Sequence, residues 1–130
     1  MLRRIIFIFV FGCLAVSMTG CGTMLAKVTS ADDGKQLNAR VGEEIDVTLD
    51  GNPTTGYTWD AKDLDASMIQ QIGSTEFKSG NPGLVGAGGT LTLTFKTLKP
   101  GTTSLTLIYH RPWETDVKPL NSFTATIIVK

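Results

Sequence analysis

Few side chains in this sequence can make or break bonds. His110 is the single histidine, Cys13 and Cys21 are the two thiols, and acidic residues fall in adjacent pairs at Asp32-Asp33 and Glu43-Glu44. A histidine base needs a nucleophile and an orienting acid, and no serine or acid has motif spacing to His110. A catalytic metal needs paired histidines or a histidine–cysteine set, and none is present. The acidic pairs border β-type segments and read as solvated strand ends and turns. His110, at the end of such a segment, reads as a surface or loop-packing residue. The expectation is therefore a protein that is not an enzyme and uses no cofactor and no metal.

The two thiols belong to the leader. Arg3 and Arg4 form a positive start and "IIFIFVFGCLAV" an apolar run too short to span a bilayer, the pattern of a signal peptide over residues 1–20. The run meets "SMTGC", which resembles a bacterial lipobox with Met18 in place of the commoner Leu. Cys21 is then the acylated first residue, opening a tether and first-strand region at 21–34. Gly22 after it, rather than Asp, is the pattern of lipoproteins released to an outer membrane, if the cell has one. The expected place is the cell envelope, lipid-anchored through Cys21. With Cys13 removed and Cys21 acylated no disulfide is available, so burial alone must hold the fold. Without Arg3 and Arg4 the chain carries ten basic against twelve acidic residues, a net charge of −2. There is no basic stripe, and nucleic acid is excluded as a partner.

What remains is the chemistry of recognition, concentrated in three short stretches. In "NPTTGYTW", Pro53 fixes its own φ and drives Asn52 toward extended geometry. Asn52, Thr54 and Thr55 can bond to the local backbone, and Gly56 can take the positive φ needed to re-enter a strand. Such a stiff loop loses little entropy when it docks. Tyr57 and Trp59 lie two apart and share a face, which reads as core anchoring the loop. "GLVGAGGT" offers Gly86, Gly88 and Gly89, where another backbone can approach closely. "HRPWE" sets Trp113 beside a proline among charges, and tryptophan and arginine are typical of interface hot spots.

The elements that must hold these stretches are strands. Ile45, Val47 and Leu49 alternate with polar residues, as do Leu91, Leu93 and Phe95, then Leu105, Leu107 and Tyr109, then Phe123, Ala125, Ile127 and Val129. Turn signals at Asp50 to Pro53, Gly80 to Gly89 and Lys99 to Gly101 separate them. The stretch 64–77 is ambiguous between helix and strand; it reads as an irregular link followed by a strand near Ile69 to Phe77. Seven to eight short amphipathic strands, with no convincing crossover helix, predict an all-β, immunoglobulin-like antiparallel β-sandwich. In such a sandwich the loops after the second, fourth and sixth strands share one end, and the three stretches fall there.

In this order and spacing, "NPTTGYTW", "GAGG" and "RPWE" resemble the chagasin family of cysteine protease inhibitors, over roughly residues 35–130. The resemblance implies an immunoglobulin-like fold and reversible, non-covalent inhibition of papain-like proteases by a monomer in a one-to-one complex. It implies that Asn52, Pro53, Thr54, Thr55 and Gly56 enter the active-site cleft beside the catalytic cysteine. Gly86, Ala87, Gly88, Gly89 and Thr90 would lie along the unprimed side through their backbone. Arg111, Pro112 and Trp113 would cover the primed side. Tyr57 stands where the family commonly carries Phe, a compatible change. Composition and periodicity fit equally a lipid-anchored adhesion or envelope-scaffold module of the same fold, since a fold does not fix a function. The three end-loop motifs distinguish the two, because a scaffold has no use for them.

Overall fold

Alternation of apolar and polar residues gives strands wherever the sequence carries it. The computed structural model describes residues 25–130; the leader and Cys21 lie outside them. Eight strands follow in order: β1 Leu25–Thr29, β2 Gln36–Ala39, β3 Glu44–Gly51, β4 Thr58–Lys62, β5 Ile69–Ser79, β6 Gly89–Thr97, β7 Gly101–His110 and β8 Asn121–Val129. They form two four-stranded sheets, β1-β3-β6-β5 and β2-β8-β7-β4, with the core between. The all-β sandwich expected from periodicity is the fold observed.

The N-terminal region differs from the single first strand expected of it. It makes two, because the chain crosses from one sheet to the other at a 3₁₀ turn, Ser30–Asp32. Thr29 caps that turn and the Asp32 carboxylate reaches back to the Thr29 N–H at 3.0 Å. Asp33 accepts from the Thr124 N–H at 2.8 Å, which fixes the landing point on the second sheet. Both new strands pair in parallel, β1 with β3 and β2 with β8, while the other pairings are antiparallel. No crossover helix is needed, since each parallel strand merely closes an edge on its way between sheets.

Ile45, Val47 and Leu49 of β3 and Leu91, Leu93 and Phe95 of β6 face Trp59, Leu105, Leu107, Phe123, Ala125 and Ile127 of the other sheet, all buried. Each large aliphatic contributes on the order of 1.5–3 kcal/mol by leaving water. The described residues contain no cysteine, so packing carries the fold without a cross-link. The ambiguous stretch resolves as read: an irregular link, then β5 from Ile69. Its register shifts between Ile72 and Glu76, and as an edge strand it leaves Ile72 and Phe77 partly exposed.

Strand direction sorts the connections into two ends. β3, β5 and β7 run toward one end, so residues 52–57, 80–88 and 111–120 emerge there together. With the extra strand counted, these follow the third, fifth and seventh strands. The opposite end, the base, is built from turns 40–43 and 98–100 and the link 63–68. There the hydroxyl of fully buried Thr97 donates to Arg40 O at 2.6 Å and accepts from the Glu43 N–H at 3.2 Å, pinning the two turns together.

Candidate functional site

The centre of the loop end is Asn52, whose polar atoms are all engaged. Its extended backbone caps a 3₁₀ turn at Pro53–Thr55, with proline in the first turn where a missing N–H costs nothing. Its Oδ1 accepts from the Thr54 N–H at 3.1 Å and the Thr54 hydroxyl at 2.5 Å. Its carbonyl accepts from the Thr55 hydroxyl at 2.6 Å. Gly56 ends the turn with φ 83°, and its N–H returns to Pro53 O at 3.0 Å. The local bonding expected of this stretch, and the positive φ expected of Gly56, are both present. Pro53, Thr54 and Thr55 are left exposed at the tip.

Two further bonds from Asn52 reach outside its own loop. The side-chain Nδ2 donates to Gly86 O at 3.0 Å, tying the first loop to the second. The backbone N–H donates to the Tyr109 hydroxyl at 2.9 Å. Tyr109 is the last core-facing residue of β7, and its ring lies between Tyr57 (centroids 5.2 Å apart) and Trp59 (5.1 Å apart). The buried Trp59 donates its indole N–H to Asp50 O at 3.0 Å, at the foot of the same loop. Trp59 thus anchors the stretch from the core as expected, whereas Tyr57, read as core with it, precedes β4 and lies outside the core, half-buried beneath Arg111; the hydroxyl that holds Asn52 comes from a strand read only as core.

The third loop closes over the first. Arg111 lays its guanidinium 4.5 Å above the Tyr57 ring, donates from Nε to Thr55 O at 3.0 Å, and pairs through Nη1 with Glu114 at 3.2 Å. Trp113, 67% exposed, rests one edge of its indole on Gly56, where any Cβ would collide with the ring. Beside this cluster His110 bonds to Asp60 at 2.7 Å across β7 and β4, a packing role as expected.

In the second loop, the Gly80 N–H donates to Gly88 O at 3.1 Å and Asn81 braces the tip by accepting from the Gly83 N–H at 3.3 Å. Gly86, at φ 78°, has open space around it, and Gly88 sits against Gly51 O and Asn52. Gly89 and Thr90 are the first residues of β6, and the missing side chain of Gly89 is needed inside the chain: Lys78 O occupies the space a Cβ would take. Val85, fully exposed, and Leu84 project beyond the glycines.

All thirteen residues of the three motifs therefore gather at one end, cross-tied into one surface. Pattern reading missed Tyr109, Glu114, Leu84 and Val85. For Tyr109 the available signal was a hydroxyl at the end of an apolar strand face, which must find a partner when the ring is buried. Chemically the surface offers exposed backbone, two threonine side chains, a tryptophan and two aliphatic tips. It has no nucleophile set beside a base, and its polar groups are spent on holding shape.

Residues 38–127 match the model of the chagasin family of peptidase inhibitors. The chain is 37% identical to chagasin of Trypanosoma cruzi over 94 residues, which cover 69% of this chain and 84% of that protein. It is 29% identical to amoebiasin-2 of Entamoeba histolytica over 103 residues, covering 79% of this chain and 84% of that one. Among solved structures it is similar to a cysteine protease inhibitor from Entamoeba histolytica, at TM-score 0.71 and 30% identity, over 82% of this chain and 96% of that. The ICP of Leishmania mexicana matches at TM-score 0.55 and 32% identity, over 78% and 93% of the two chains.

Proposed function

The chain belongs to the chagasin family of peptidase inhibitors, and from that membership we propose that it reversibly and non-covalently inhibits papain-like cysteine proteases. The observation that carries the mechanism is the braced loop Asn52 to Gly56, bonded to the second loop through Gly86, to the third through Arg111, and to the core through Tyr109. A papain-like enzyme cleaves an extended segment whose carbonyl reaches its thiolate in a near-attack geometry. A 3₁₀ turn capped at both ends fills the cleft but holds its carbonyls away from that geometry. Gly86 to Thr90 then contact the unprimed side by backbone, and Arg111 to Trp113 the primed side. The surface is already ordered in the free protein, so binding loses little entropy. A standard interface of about 800 Å² per partner is within reach of three such loops.

The test is papain acting on a small fluorogenic peptide. The expected result is loss of activity near one equivalent of inhibitor, recovered in full when the complex is displaced or diluted. Unchanged hydrolysis at a large molar excess would leave an immunoglobulin-like adhesion or scaffold module as the reading.

The place of action is the second part of the proposal: Cys21 is acylated and holds the inhibitor at the cell envelope. Support comes from the basic start, the apolar run and "SMTGC". Several acyl chains on one cysteine meet the two-signal condition for a stable anchor. A Cys21→Ser variant is expected to leave the membrane fraction or to stay unprocessed.

A further inference from the structure

Three residues, 22–24, separate Cys21 from the first residue of β1. Leu25 pairs with Glu44, the first residue of β3, so β1 begins at the base of the sandwich. From that level to Gly51, where the loop end begins, β3 advances seven residues, about 24 Å at strand rise. Fully extended, the link from Cys21 to Leu25 spans at most about 14 Å. An anchor at Cys21 therefore reaches the base and falls short of the loops.

The base has a surface suited to what the anchor brings near. The Gly42 N–H donates to Thr97 O at 2.9 Å, which joins turn 40–43 to turn 98–100. Each turn projects an aliphatic side chain: Val41 is 47% exposed and Leu98 37%. Arg40 and Lys99 stand beside them, exposed. Two of the acidic groups there are engaged within the base: Glu43 accepts from the Arg40 N–H at 2.7 Å, and Asp65 accepts from the Ser67 N–H and hydroxyl. The loop end carries charges of both signs, with Glu114 paired to Arg111 and Asp60 bonded to His110.

We propose that the base, through Val41 and Leu98, is a lipid-facing surface that rests on the headgroups of the membrane holding Cys21, with the three loops directed away from it. This rests on the acylation reading above, and the two are separable by experiment. Full-length protein carrying Val41→Cys, Leu98→Cys or Val85→Cys is labelled with an environment-sensitive fluorophore and placed in phosphatidylglycerol–phosphatidylethanolamine vesicles. Mass spectrometry first reads whether Cys21 carries acyl chains, and far-ultraviolet circular dichroism of each labelled protein verifies the fold. The expected result is a blue shift at positions 41 and 98 on vesicles, none at 85, and papain inhibition by the proteins labelled at 41 and 98 equal on vesicles and in detergent. An unmodified Cys21 overturns the anchor and the proposal with it. An acylated protein whose label shifts at 85, or at neither 41 nor 98, overturns the orientation and leaves the anchor standing. A shift at 41 and 98 in detergent alone that grows with protein concentration assigns the base to a second copy of the chain, and the proposal falls.

Discussion

At the scale of single residues, the site divides into groups that touch a partner and groups that hold those groups still. In the proposed complex Trp113 is of the first kind. Its ring is mostly in water and rests only an edge on Gly56, so its removal should spare the fold. Trp113→Ala is expected to weaken papain inhibition by about 2 kcal/mol or more, roughly thirtyfold, with the melting temperature nearly unchanged. Inhibition as strong as wild type would remove Trp113 from the interface. Tyr109 is of the second kind. Tyr109→Phe keeps the stack with Tyr57 and Trp59 but takes away the acceptor for the Asn52 N–H. Leaving that part-buried donor unpaired should cost about 1–3 kcal/mol of stability and loosen the cap of the central turn. Inhibition should fall as well, chiefly through faster dissociation, which surface plasmon resonance resolves. The two kinds differ in how openly the sequence declares them. Pro53, Gly56 and the capping Oδ1 of Asn52 act on their own neighbours in the chain, so a local reading finds them. Tyr109 acts on a residue 57 positions away, and nothing in "SLTLIYH" says where its hydroxyl ends.

At the scale of elements, each loop is only as well placed as the strands that deliver it. Trp59 in β4 packs in the core and donates to Asp50 O at the end of β3, joining the two strands across the first loop. Trp59→Ala should cost about 3–5 kcal/mol, a large share of a total stability that is commonly about 5–15 kcal/mol. A thermal melt unchanged by this substitution would place the indole outside the core. In β6, Gly89→Ala drives a methyl group onto the Lys78 carbonyl, and backbone cannot swing aside as a side chain can. The β5–β6 ladder should fray at its loop end, seen as faster amide hydrogen exchange at Lys78 and Ser79, with the second loop displaced. Core strands were legible because burial on one face writes a period of two into the sequence: β3, β6, β7 and β8 appear at the expected positions. The division of the N-terminal region into β1 and β2 was not, since parallel edge pairing depends on partners about 20 and 90 residues away and leaves little mark on five residues and four.

At the scale of the whole molecule, two sheets without a cysteine between them position three loops as one body. Dithiothreitol is therefore expected to leave the melting temperature of the folded domain unchanged, and a clear drop would point to a cross-link that residues 25–130 do not contain. The same absence of thiol chemistry bears on the complex. A papain-like protease with its catalytic cysteine replaced by alanine should still bind in a calorimetric titration; a requirement for the protease thiol would contradict a non-covalent contact. The parallel pairing of β1 with β3 carries a mechanical consequence. β1 enters at the base and the central loop leaves β3 at the other end, so under the proposed anchor and docking a pull between Cys21 and the protease would act along both strands in opposite directions. The ladder from Leu25 to Thr29 is then loaded in shear, its bonds strained together instead of peeled one by one. Forced unfolding follows the unfolding rate rather than the equilibrium stability. Under the proposed anchor, five residues of edge strand would act as a clamp between the membrane and a captured enzyme.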